Sequence, residues 1–111
     1  MESVFIIAEA GVNHNGDRDI AFQMVEAAAG AGVDAVKFQT FKADRLATST
    51  AKKADYQRQT TDSTESQHAM LRRLELTEAM HHELIAHCGT QNIGFFSTGF
   101  DIESVNLLVS L

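Results

Sequence analysis

The chain begins with a continuous apolar run, Val4-Phe5-Ile6-Ile7-Ala8, rich in β-branched and aromatic residues and too short for a helix. Such a run reads as a strand buried on both faces, as in parallel sheets. The polar, turn-forming stretch Gly11-Val12-Asn13-His14-Asn15-Gly16 follows. Apolar residues then recur at Ile20, Ala21, Met24, Val25 and Ala28, the spacing of one helical face. Asp17 or Asp19 is placed to cap this helix, and Gly30 or Gly32 to end it. Val33 to Phe38 returns to strand composition. Strand, helix and strand within about 35 residues make a βαβ unit, whose strands run parallel through a right-handed crossover.

From Thr40 to Ser63 neither period is sustained, which predicts a long βα loop over about 40–63. Loops beyond about 15 residues in compact domains usually carry function, so this one is a candidate substrate-contacting segment. Thr64-Glu65-Ser66-Gln67 fits a capping box and opens a short helix through about Leu74. A second helix is predicted after Thr77, burying Met80, Leu84, Ile85 and Cys88 and stopping at Gly89. Ile93 to Ser97 reads as a third strand, and Asp101 caps a last helix with Ile102, Val105, Leu108 and Val109 on one face. The predicted order is β-α-β-(loop)-α-α-β-α, and the pattern stops where a fourth strand would begin.

Composition narrows the function classes. With 111 residues and a formal charge of −6 spread along the chain, there is no electrostatic footprint for nucleic acid or an anionic membrane surface. No apolar run approaches the roughly 20 residues that span a bilayer, and the N-terminus lacks the basic start of a signal peptide. A soluble, cytoplasmic protein is the expectation. The single cysteine, Cys88, leaves no internal disulfide to hold the fold.

In parallel α/β sheets the working groups sit at the carboxyl ends of strands, where loops vary above a fixed sheet. The three predicted strand ends are Ala8-Glu9-Ala10-Gly11, Val36-Lys37-Phe38-Gln39 and Phe96-Ser97-Thr98-Gly99. Period-two alternation puts Lys37 and Gln39 on one face and Val36 and Phe38 on the other. An acid, a cation, an amide and hydroxyls together suit an anionic, polyhydroxylated ligand. Each group also has a plain structural reading. Glu9 and Lys37 would make an ion pair, Thr98 a turn or cap residue, and His14 a solvated turn residue unless it orients Glu9. His81, His82, His87 and Cys88 look like metal ligands only until set on a helix, where convergence needs i, i+3 or i+4 spacing. None of these four meets it with another of the four, and Glu83 with His87 gives just a pair, which favours a plain surface helix.

The run Ile6-Ile7-Ala8-Glu9-Ala10-Gly11-Val12-Asn13-His14-Asn15-Gly16, then Val36-Lys37-Phe38-Gln39-Thr40, then Phe96-Ser97-Thr98-Gly99-Phe100-Asp101 resemble the start of the sialic acid synthase family. The resemblance extends over essentially the whole chain. It includes Lys53-Ala54-Asp55-Tyr56-Gln57 and Leu74-Glu75-Leu76, which look most like the branch containing bacterial N-acetylneuraminate and legionaminate synthases. It implies a transferase that condenses phosphoenolpyruvate with an open-chain N-acetylhexosamine, N-acetylmannosamine or a dideoxy-diacetamido analogue. The product is a nine-carbon 2-keto sugar acid, released with phosphate. It also implies a (β/α)8 barrel of the TIM type, a small antifreeze-protein-like domain covering the partner's site in a homodimer, and a divalent metal, manganese or magnesium. The family's metal-binding histidines belong to later strands, beyond Leu111, and none of the five histidines here takes their place.

Carried over residue by residue, Glu9 matches the glutamate that contacts the amino-sugar and Lys37 the lysine beside phosphoenolpyruvate. Gln39 matches a sugar-contacting glutamine and Thr98 a threonine near the phosphate. Glu9 and Lys37 are the catalytic candidates, and Ser97, Asn13 and Tyr56 join Gln39 and Thr98 as candidate substrate contacts. Many members have proline after the Ser-Thr pair, whereas Gly99 follows Thr98 here. The expectation is therefore an N-terminal fragment, three βα units with parallel strands and outer helices, since eight units need about 250 residues. The fragment alone is expected to be inactive and to associate, with Ile7, Val36 or Phe96 exposed on its inner faces. The alternatives are another phosphoenolpyruvate-dependent aldol-type synthase, such as a deoxy-sugar-phosphate synthase, and a non-catalytic α/β binding module.

Overall fold

A computed structural model describes residues 3–46 and 67–111. Its elements in chain order are β1 (Ile7–Gly11), α1 (Arg18–Gly30), β2 (Ala35–Thr40), α2 (Ala43–Leu46), α3 (Gln67–Leu74), α4 (Glu78–Thr90), β3 (Gly94–Gly99) and α5 (Ile102–Ser110). The strands form one parallel sheet in the order β1-β2-β3. The βαβ reading of the first 40 residues holds. The loop expected from Thr40 starts later, because Thr40 is the last residue of β2 and the one-turn α2 follows almost at once. The rest of that loop, with the capping-box residues Thr64, Glu65 and Ser66, lies outside the described residues.

Local capping sets the helix starts. Asp17 Oδ1 accepts the Ile20 N–H at 3.1 Å, Thr77 Oγ1 the Met80 N–H at 3.1 Å, and Asp101 Oδ1 the Ser104 N–H at 2.7 Å. Each bond satisfies a first-turn donor that has no partner within the helix. Asp17, not Asp19, is thus the cap of α1.

Strand alternation divides the sheet into two unlike faces. Ala8, Ala10, Val36, Phe38 and Phe95 turn toward α1 and α4 and pack with Ala21, Val25, Ala28, Leu84 and Cys88. Phe38 and Leu84 are fully buried there, each worth roughly 1.5–3 kcal/mol of burial. The opposite face carries Ile7, Glu9, Lys37, Gln39, Phe96 and Thr98 and stays open, with Ile7 and Phe96 each 45% exposed. Val36, expected among the exposed inner residues, is buried because its side chain points the other way.

Several expectations change for the same reason. The composition of the run from Val4 predicts a strand buried on both faces, yet β1 begins at Ile7 and Val4, Phe5 and Ile6 are exposed. β1 is an edge strand with one face covered, so an apolar run there is only half hidden. In α4 the buried residues are His81, Leu84 and Cys88, while Ile85 is exposed. The buried face is rotated by about one residue, because both nitrogens of His81 find hydrogen-bond partners in the core. In α5 the apolar residues Ile102 and Val109 are 81% and 80% exposed, whereas Ser104 is buried. The Ser104 hydroxyl donates to Asp101 Oδ2 at 2.9 Å, which lets this polar residue sit inward.

Candidate functional site at the open face of the sheet

The site follows from register. Glu9 pairs with Lys37 across β1 and β2, Lys37 with Phe96 across β2 and β3, and Gln39 with Thr98. Adjacent strands lie about 4.8 Å apart and residues of one face repeat about every 6.6 Å along a strand, so these side chains share a patch roughly 10 Å wide. They run from the middle of the strands, at Glu9 and Lys37, to their C-terminal ends, at Gln39 and Thr98, on the face the helices leave open.

Glu9 and Lys37 form an ion pair, Nζ to Oε2 3.2 Å, with side chains 50% and 40% exposed. In this setting the pair contributes little to stability and leaves both groups available to a ligand. A register shift between Glu9 and Gly11 sets Gly11 opposite Phe38. A Cβ at Gly11 would lie 3.3 Å from Glu9 Oε1 and 3.4 Å from Gln39 Nε2, so the carboxylate and the amide converge above this backbone. The face thus presents a cation beside a carboxylate, an amide and the Thr98 hydroxyl. Phe96, expected on an inner face and 45% exposed, supplies an apolar wall.

The other expected site residues are elsewhere. Ser97 was expected beside Thr98 but turns to the helix-covered side, where its hydroxyl is hydrogen-bonded to Thr40 Oγ1 at 2.6 Å. Asn13 is exposed in the β1–α1 turn, its backbone N–H donating to the Ala10 carbonyl at 3.2 Å. Tyr56 lies outside the described residues. His14 is neither solvated nor turned to orient Glu9. It is fully buried, its ring 6.0 Å from that of Phe38, and its Nδ1 accepts the Gly16 N–H at 2.8 Å. Burial lowers its pKa, so the neutral imidazole is the form that packs.

His81 is likewise a core residue and not part of a surface helix. Its position in the buried series His81, Leu84, Cys88 was the signal available in the sequence. His87 stacks on Phe22 with ring centroids 4.3 Å apart and bonds Glu26 at 2.9 Å. Among the described residues no group of three or more His, Cys, Asp or Glu is placed to hold a metal ion. No described helix is long and apolar enough to cross a membrane. Next to the patch, Lys42 reaches Glu75 at 3.9 Å and Arg45 reaches Glu103 at 3.3 Å. Asp101 Oδ2 accepts the Lys42 N–H at 2.8 Å, which ties the segment after β2 to the start of α5.

Known proteins resemble this chain in sequence and in fold. The NeuB family model matches residues 24–111. The N,N'-diacetyllegionaminic acid synthase of Campylobacter jejuni is 53% identical over 111 residues, covering 100% of this chain and 33% of that protein. The synthase of the same name from Legionella pneumophila is 51% identical over 107 residues, covering 96% of this chain and 30% of its own length. In structure, the N-acetylneuraminic acid (sialic acid) synthetase of Leptospira borgpetersenii, solved with citrate, superposes with a TM-score of 0.76 at 31% identity, over 98% of this chain and 33% of that one. The chain spans about a third of the length of these relatives. With the family model matched over most of its residues, the chain belongs to the NeuB family, that of the sialic acid synthases.

Proposed function

We propose that this chain forms the first three βα units of a (β/α)8 barrel that condenses phosphoenolpyruvate with an N-acetylhexosamine. The new carbon–carbon bond joins the phosphoenolpyruvate methylene to the sugar aldehyde carbon. One water is consumed and phosphate leaves, giving a nine-carbon 2-keto sugar acid. The observation that carries this reading is the convergence of Glu9, Lys37, Gln39 and Thr98 on one open face of parallel strands, with Gln39 and Thr98 toward their carboxyl ends. An open polar face opposite a helix-covered apolar one is what an arc of a barrel presents when its remaining strands are absent.

In this reading Lys37 offsets the charge of phosphoenolpyruvate and Thr98 donates its hydroxyl to the phosphate. Glu9 and Gln39 hold the amino-sugar by accepting from its hydroxyls and donating to its carbonyl oxygens. Holding the two reactants side by side on a fixed sheet accounts for much of the acceleration. The identity to the two legionaminic acid synthases makes a dideoxy-diacetamido sugar the first candidate and N-acetylmannosamine the second. The manganese or magnesium implied by the family resemblance would be held by residues beyond Leu111, as would the domain that completes the homodimer.

The test is to express the full reading frame and supply phosphoenolpyruvate, manganese and each sugar, measuring phosphate release and the 2-keto acid by mass spectrometry. Turnover with either unphosphorylated sugar is expected. Turnover only with phosphorylated sugars would replace the proposal with the sugar-phosphate synthase alternative, and no turnover would favour a binding module.

A further inference from the structure

Behind the open face, β2 and β3 are joined by a chain of hydrogen bonds that is buried at its centre, Thr40 to His81, and part-buried at both ends. His81 Nδ1 lies 2.7 Å from the Thr77 carbonyl oxygen, which only accepts, so this nitrogen carries the proton. His81 Nε2 is then an acceptor and takes the hydroxyl proton of Thr40, 2.8 Å away. Thr40 Oγ1 in turn accepts from the Ser97 hydroxyl at 2.6 Å. All the donors point one way, from Ser97 through Thr40 and His81 to the first turn of α4. His81 and Thr40 are buried, and burial holds the imidazole toward its neutral form.

The placement of this chain is specific. Thr40 follows Gln39 and Ser97 precedes Thr98 in sequence, so each relay hydroxyl is the immediate neighbour of a site residue on the opposite face. Gln39 and Thr98 are themselves register partners, and the Thr40 carbonyl accepts the Phe100 N–H at 3.0 Å just beyond. Apolar residues of the same shape would stabilise this core about as well, because exchanging a bonded polar pair for apolar groups is nearly neutral. What apolar residues lack is direction. A satisfied hydrogen-bond chain fixes the spacing and height of two strand ends in a way that dispersion contacts do not.

Resting on the reading that Gln39 and Thr98 contact the substrates, we infer that Thr40, Ser97 and His81 are positioning residues. Through the sheet they set the separation of the sugar-binding amide and the phosphate-binding hydroxyl. None of them touches a substrate.

The experiment uses the full-length protein with Thr40→Val, which keeps the shape and removes the hydroxyl, and Thr40→Ser, which restores it. Misplacement on the scale of an ångström costs up to about 100-fold, so Thr40→Val is expected to lower kcat/KM by about 10-fold or more, mainly through higher KM. Thr40→Ser is expected to stay within about 3-fold of wild type. A loss of stability alone would lower the active fraction and hence kcat while leaving KM unmoved. Wild-type KM values in Thr40→Val, or equal impairment in Thr40→Ser, would overturn the inference. If Thr40→Val does not fold, Ser97→Ala reads the outer link and is expected to raise KM by about 3- to 10-fold, with an unchanged KM overturning the inference. If the wild-type protein turns over none of the sugars, the functional reading fails, and the relay is read by nitrogen NMR of His81. An unprotonated Nε2 whose signal moves in Thr40→Val supports the relay, and an unmoved signal overturns it.

Discussion

Replacing Lys37 by alanine removes a cation from the centre of the open face without disturbing the core. In wild type the ammonium stands 3.2 Å from Glu9 with its side chain 40% exposed. A phosphoenolpyruvate oxyanion approaching to about 4 Å would gain about 4 kcal/mol at an effective dielectric constant near 20. The neighbouring carboxylate of Glu9 opposes part of this attraction and residual solvent screens more, leaving roughly 2–3 kcal/mol. That corresponds to about a 100-fold loss in kcat/KM, in the range seen when a preorganised charge-stabilising donor is deleted. Half-exposed on the bare face, Lys37 is expected to change thermal stability by less than about 0.5 kcal/mol when truncated. Phosphate release by the full-length enzyme, with both substrates varied, measures the effect. Lys37→Arg keeps the charge but replaces a point donor by a planar fork, so an intermediate loss is expected. A Lys37→Ala enzyme within about 5-fold of wild type would refute the assignment of Lys37 to the anionic substrate and leave the Glu9 pair as its role.

Further outcomes test other parts of the picture. Glu9→Gln is expected to raise the KM for the amino-sugar while sparing phosphoenolpyruvate binding, and equal loss for both ligands in calorimetric titrations would make Glu9 structural. Gly16 adopts φ +74°, and a Cβ there would fall 2.0 Å from the Arg73 carbonyl oxygen. Gly16→Ala is therefore expected to cost at least about 2 kcal/mol, combining the left-handed penalty of about 1–2 kcal/mol with the clash. Denaturant unfolding checks this, and a cost under about 0.5 kcal/mol would contradict it. Burial pushes the Cys88 thiol up to about 11, so it should resist thiol reagents at pH 8 until the protein unfolds; rapid native-state labelling would count against that packing. Residues 1–111 expressed alone should catalyse no condensation and should associate through the open edges of the sheet and the exposed Ile7 and Phe96. A monomeric mass by light scattering over a wide concentration range would disprove the association.

Apart from the one-turn α2 and the choice between Asp17 and Asp19, the element order and the helix starts were determined by the sequence itself, because they rest on interactions within a few residues. Asp17, Thr77 and Asp101 each cap a helix through a bond reaching three residues ahead, and apolar spacing marked α1 without reference to anything else in the chain. The shared face of Lys37 and Gln39 was equally legible, since alternation is a property of a single strand. Tertiary structure alone decided which face the helices cover. That choice sends Ser97 inward to Thr40 and leaves Thr98 in the open, although the two hydroxyls are adjacent in sequence. It also buried His14 and His81, whose polarity suggested solvent: both ring nitrogens of His81 find partners, whereas only Nδ1 of His14 does, across a turn, and its Nε2 is buried with no hydrogen-bond partner. Conversely, Val4, Phe5, Ile102 and Val109 are apolar yet exposed. Burial depends on what packs against a residue, and residues facing outward from a three-stranded arc find little among the described residues to pack against; Phe5 meets the Phe96 ring 6.2 Å away and is still 62% exposed.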